Sequence, residues 1–210
     1  MTTTPVLSVP CGRNRTIHLY REHIFDQGRR IYYSDLESIT YLLTTTRVSV
    51  YFIPATTQSD LSISLGTKEG VHKIKHRASS PMAFLTKERQ NIEESFSKLV
   101  LAINTFAVPQ IISFLLRKFE EDGEVRVGKL VIDRKGLHRD RLFRRAAFLP
   151  WPDYFQASVG HGYLEIYSGE NYKRPKVFFR CSTNVPNAVV LPYFLRHLVQ
   201  HYAFAACAQN

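Results

Sequence analysis

IHLYREHIFDQGRRIYYSDLESI at 17–39 and LVIDRKGLHRDRLFRRAAFLPWPDYF at 130–155 say nearly the same thing. Each reads as a strand, a short polar turn, a second strand and a basic stretch. Each then places an aromatic residue two positions before an Asp: Tyr33/Asp35 and Trp151/Asp153. Further strands follow in both copies, and then a helix. A repeated β-rich unit closed by a helix predicts an α+β chain of two similar small domains.

The flanking sequence fills in both copies. Asp26-Gln27-Gly28-Arg29 and Asp133-Arg134-Lys135-Gly136 are turn signals, each with a glycine available for positive φ. Val48–Ile53 is β-branched and aromatic, and Pro54 is expected to end it. Leu61, Ile63 and Leu65 alternate with Ser62 and Ser64, a half-buried strand, and 71–76 alternates weakly. In the second copy 125–132 and 137–142 flank the turn. Residues 154–159 and 163–167 flank Gly160-His161-Gly162, and 176–181 follows.

Two stretches change period. From Thr86, a candidate N-cap, Ile92, Phe96, Leu99, Val100, Ile103 and Ala107 share one helical face. Pro109 predicts a kink or a new helix, ending near Gly123. Asn184-Val185-Pro186-Asn187 leads into a last helix whose face is Val190, Leu191, Phe194, Leu195, Leu198, Val199 and Tyr202. The expected organisation is a loose terminus at 1–14, a domain at 15–108, a helical linker at 109–123 and a domain at 124–210.

Composition narrows the class. Of 210 residues 44% are hydrophobic and 22% charged, which suits a globular fold. No basic, apolar leader opens the chain. Ile111–Leu116, taken as the most apolar run, is far short of the roughly 18 residues that span a bilayer. Cys11, Cys181 and Cys207 have neither disulfide nor zinc spacing, and free thiols imply a cytoplasmic setting. Cys207-Ala-Gln-Asn lacks the aliphatic residue of a prenylation box.

The net charge of +10 favours anionic partners. Between Arg126 and Arg145 eight Arg or Lys face only Asp133 and Asp140. The candidate anion-binding set is Lys129, Arg134, Lys135, Arg139, Arg141, Arg144 and Arg145. A solvated basic face or a protein contact remains the favoured reading of that segment.

Gly128, Gly136, Trp151 and Pro186-Asn187 carry a resemblance over about 109–200. This pattern is similar to a bacterial family of unknown function with pleckstrin-homology-like character. The first half resembles the same barrel more loosely. The resemblance implies two antiparallel β-barrels or sandwiches, each closed by a C-terminal helix. It implies no activity. The basic hairpin also resembles the one with which some such domains hold inositol phosphates.

Other constellations have simpler readings. His197 and His201 have metal-ligand spacing, but no internal Glu and no third ligand accompany them. His161 lacks a nucleophile, and the glycines beside it suit a tight hairpin. Trp151, between prolines, reads as a packing anchor. Glu93/Glu94 and Glu120/Glu121 are surface charges. No catalytic residue, metal or cofactor is expected. The expectation is a non-enzymatic module that binds a protein partner. Peripheral binding to an anionic membrane or an inositol-phosphate-like ligand is the alternative, and nucleic-acid binding stands third.

Overall fold

The computed structural model describes residues 4–11, 15–50, 53–81, 86–139, 147–169 and 175–207; side chains are described except at 43–50, 53–60, 76–81, 86–93 and 202–207. Among the described residues the chain is α+β, with four antiparallel sheets and two α-helices. It divides into two compact units, Met1–Glu37 with Tyr41–Ile111, and Ser38–Thr40 with Ile112–Asn210.

The first unit opens with a four-stranded meander: β1 (Leu7–Pro10), β2 (Thr16–Leu19), β3 (His23–Asp26) and β4 (Arg29–Tyr32). A one-turn helix, Tyr33–Asp35, follows. Then come β5 (Leu36–Val50), β6 (Ile53–Thr67) and β7 (Gly70–Pro81), paired in sequence order. Helix α1 (Thr86–Asp122) closes the unit and runs on into the second.

The second copy has the same order. Strands β8 (Glu124–Val127), β9 (Leu130–Asp133), β10 (Gly136–Arg139) and β11 (Ala147–Pro150) form a meander. The one-turn helix Trp151–Asp153 leads to β12 (Tyr154–Gly160), β13 (Tyr163–Ser168) and β14 (Lys176–Ser182). Helix α2 (Leu191–Cys207) ends it. The two aromatic-to-Asp anchors thus hold equivalent places. The turns do not: Asp26–Arg29 joins third strand to fourth, whereas Asp133–Gly136 joins second to third.

Several expectations change. Leu7–Pro10, read as loose terminus, is a strand in register with β2, and Val9 is buried opposite Ile17. Its four residues are too few to show a period. Pro54 does not end a strand but stands second in β6. Pro109 starts no new helix, because α1 continues through it, with Val108 and Ile111 buried on either side. The second unit starts before 124, since α1 places Leu115 and Phe119 in its core. No strand pairing joins a four-stranded sheet to a three-stranded one, so no barrel is closed among the described residues. The one-turn helices interrupt the chain where such pairing would continue.

One helical segment, Glu94–Asp122, is long and apolar enough by length and composition to cross a membrane. The uncharged run extends over 99–116, well beyond Ile111–Leu116. Of the segment's apolar window 33% is buried inside the fold. Leu99, Ile103, Ala107 and Ile111 are buried in the first unit, and Leu115 and Phe119 in the second.

In the first unit those α1 residues join Ile17, Leu19, Ile24, Ile63, Leu65 and Ile74. In the second, Phe119 meets Phe194 of α2 edge-on, with centroids 6.3 Å apart. Leu191, Phe194, Leu195 and Leu198 of α2 are buried. Each contributes about 1.5–3 kcal/mol of apolar burial, an upper bound against an extended chain.

Candidate functional site

The sequence's basic cluster is divided by the fold. Lys129 stands in the turn closed by Val127 and Leu130, at one end of β9. Arg134 and Lys135 stand exposed at the other end, between β9 and β10. A four-residue strand separates these turns by about 13 Å. Arg139, at the end of β10, is half-buried and already engaged. Its Nη1 donates to the Phe178 carbonyl of β14 at 2.7 Å, and its guanidinium lies 5.7 Å from the Phe178 ring. Its Nε is buried and has no hydrogen-bond partner among the described residues. Arg141, Arg144 and Arg145 lie outside the described residues.

The turn bearing Arg134 and Lys135 is rigidly held. Asp133 Oδ1 accepts the backbone N–H groups of Lys135 and Gly136 at 2.7 and 2.9 Å. Trp151 is buried, and its indole N–H donates to the carbonyls of Asp133 and Arg134 at 3.2 and 3.1 Å. Asp133 Oδ2 also meets His138 Nε2 at 2.8 Å. Trp151 therefore anchors the turn, and one carboxylate already offsets part of its positive charge.

A different surface assembles more completely. In β13, Tyr163, Glu165 and Tyr167 alternate with buried Leu164 and Ile166. Tyr163 is opposite Gly160 and Ser182, and Glu165 is opposite Ser158 and Arg180. Tyr167 is opposite Gln156 and Val177. The outward face of β12, β13 and β14 thus carries two tyrosines, Gln156, Ser158, Gly160, Ser182, Val177, one Arg and one Glu.

These side chains hold one another. The Arg180 guanidinium lies 4.0 Å above the Tyr163 ring. Its Nε faces Glu165 Oε1 at 3.2 Å. The Tyr167 hydroxyl donates to Glu165 Oε2, and that bond pushes its own pKa up. Tyr163 is 42% exposed and Val177 50% exposed. At the hairpin tip His161 is exposed with φ 51°, and Thr183 donates its N–H to the Gly162 carbonyl at 2.9 Å. This face is not among the candidates that the sequence offers. Its signal was the alternation of 163–167, but the pairing with Arg180 depends on a register the sequence does not state.

Charge is buried elsewhere, in the first unit. Asp26 is fully buried at the end of β3. Arg15 Nε donates to its Oδ1 at 2.8 Å, Arg15 Nη2 to its Oδ2, and His72 Nε2 of β7 lies 2.8 Å from Oδ2. Burial pushes this carboxyl up, but the bonds from Arg15 and His72 outweigh it and hold the group below its ordinary value. The buried Cys11 thiol lies 3.7 Å from the Lys75 carbonyl, and burial raises its pKa. The group joins the two sheets of its unit and saturates its own carboxylate.

Among the described residues no cluster of three or more His, Cys, Asp or Glu is placed to hold a metal. The rings of His197 and His201 on α2 lie 4.6 Å apart between centroids, tilted by 50°. No protein-family model matches the chain, and no curated protein matches it in sequence.

Proposed function

We propose that the chain is a cytoplasmic, non-enzymatic interaction module of two pleckstrin-homology-like units, and that it binds a protein partner. The order of elements supports the fold reading: each copy runs four-stranded meander, one-turn helix, three-stranded meander, helix. One observation carries the functional reading. The outward face of β12–β14 presents Tyr163, Tyr167 and Arg180 amid Ser158, Gly160 and Ser182, in a pre-assembled arrangement. Tyr and Arg dominate the energetics of protein interfaces, because they bring large contact area at low entropic cost.

Among the described residues β14 ends its sheet, and that edge is a poor place for a partner strand. Arg139 occupies the Phe178 carbonyl, and the register shifts between Ile166 and Tyr167 where Phe178 has no direct partner. Charges and bulges of this kind protect sheet edges from pairing. The face, not the edge, is the docking surface.

Affinity purification from producing cells tests this reading. The wild-type chain and a Tyr163→Ser/Arg180→Gln chain are compared by quantitative mass spectrometry. A protein recovered with the first and lost with the second is the expected result. Identical recoveries would remove the face from the account.

The anionic-ligand reading keeps one observation, the exposed Arg134 and Lys135 on a pinned turn. Flotation with anionic vesicles, with and without Arg134→Glu/Lys135→Glu, decides it. Nucleic acid stands third, because Glu165 sits within the aromatic face.

A further inference from the structure

We infer that Arg180 receives a carboxylate from an acidic segment of the partner, with Tyr163 and Ser182 completing the cradle. This inference rests on the protein-binding reading above and names the chemistry of the partner.

Arginine offers five N–H donors in a planar fork that matches a carboxylate bidentately. Glu165 engages Arg180 through Nε at 3.2 Å. No other acceptor meets Arg180 among the described residues, so the Nη edge of the fork is open. The ring of Tyr163, 4.0 Å from the guanidinium carbon, restrains the fork before any partner arrives. Pre-ordering of this kind lowers the entropic cost of binding.

Two further donors lie beside it. Ser182 follows Arg180 by two residues on β14, on the same face. Its Oγ accepts the Asn184 N–H at 3.2 Å, which leaves the hydroxyl proton to donate outward. The Tyr163 hydroxyl is on the residue directly opposite Ser182. A single carboxylate can use the fork and one of these hydroxyls together.

Charge selects the occupant. The chain carries +10 and attracts acidic partners. Glu165 stays close to the fork and repels any second anion there, a doubly charged phosphate more than a singly charged carboxylate. The strand rows through Tyr163 and Glu165 contain no lysine to offset that repulsion.

The test pans a displayed random dodecapeptide library on the full chain, with counter-selection on the Tyr163→Ser/Arg180→Gln chain. Circular dichroism checks that both are folded. The enriched peptides are expected to contain Asp or Glu, and replacing these by Asn or Gln should weaken binding at least about tenfold. Arg180→Lys, which keeps charge but not the fork, should weaken binding about as much. Lys118→Gln, exposed on α1 and outside β12–β14, should change little. Peptides that need Tyr163 and Arg180 yet tolerate the amide replacements would overturn the carboxylate inference and leave the docking reading standing. Failure to find any peptide dependent on Tyr163 and Arg180 would remove both.

Discussion

Asn187 holds Ile39 by both its backbone N–H and its carbonyl, across 148 residues of chain. The Ile39 N–H donates to Asn187 Oδ1 at 3.1 Å, and the Asn187 N–H donates to the Ile39 carbonyl at 2.9 Å. Both residues are buried, and Asn187 has φ 64°. Asn tolerates that left-handed backbone better than most residues, and its side chain imitates the pairing of a strand. This clamp places Ser38–Thr40 within the second unit.

Asn187→Ala leaves the Ile39 N–H buried without an acceptor and strains the backbone. The expected loss is roughly 2–4 kcal/mol. Asn187→Gly removes the acceptor but relaxes φ, so it should lose less. Trp151 is the sole tryptophan and is buried in the second unit, so its fluorescence in urea reports both variants. Equal losses would show that φ at 187 is unimportant.

A fragment of 124–210 lacks Leu115 and Phe119 of α1 and the segment held by Asn187. It should show little cooperative unfolding by circular dichroism and an exposed Trp151 spectrum. A sharp, native-like transition would mean that β8–β14 and α2 suffice.

Gly136 tolerates no side chain. A Cβ built there would lie 2.2 Å from the Leu149 carbonyl oxygen and 2.8 Å from Pro150 Cα, both backbone atoms. Gly136→Ala must therefore part β10 from β11, against the register Gly136–Pro150. A loss above about 3 kcal/mol is expected, in the severe range for single substitutions. Gly160→Ala, where a Cβ meets nothing within 4 Å, is the matched control and should cost little. Similar melting temperatures for the two variants would contradict the contact.

Asp26 makes the first unit acid-sensitive. Its folded pKa is depressed, so its stabilisation is complete above the ordinary carboxyl value near 3.9 and fades as pH falls through the lower folded value. Asp26→Asn leaves Arg15 buried beside a neutral group and should cost about 3–5 kcal/mol at neutral pH. The gap between wild type and variant should narrow below about pH 4. A gap that stays constant down to pH 2 would show that the carboxylate charge contributes nothing.

The sequence disclosed element types well and pairings poorly. Both aromatic-to-Asp anchors could be read, because Tyr33 and Trp151 each open a one-turn helix and each is buried. The register of the repeat could not, because a polar turn with a glycine looks alike after a second strand or a third. Strand Leu7–Pro10 was hidden by its length, and the uncharged run at 99–116 by Pro109 within it. The basic segment was legible as composition. Its division between the two ends of β9 was not, since hairpin geometry separates residues that are close in sequence. The Tyr163–Arg180 contact depends on cross-strand pairing over seventeen residues, beyond the reach of local pattern.

The most direct measurement replaces Val177, exposed on the proposed face, by a photo-crosslinking phenylalanine in producing cells, with Val71 of the first unit as control. The account predicts a discrete protein adduct from position 177, absent from position 71 and lost when Tyr163→Ser/Arg180→Gln is added. Adducts only to lipid or nucleic acid, or a protein adduct indifferent to Tyr163 and Arg180, would contradict it.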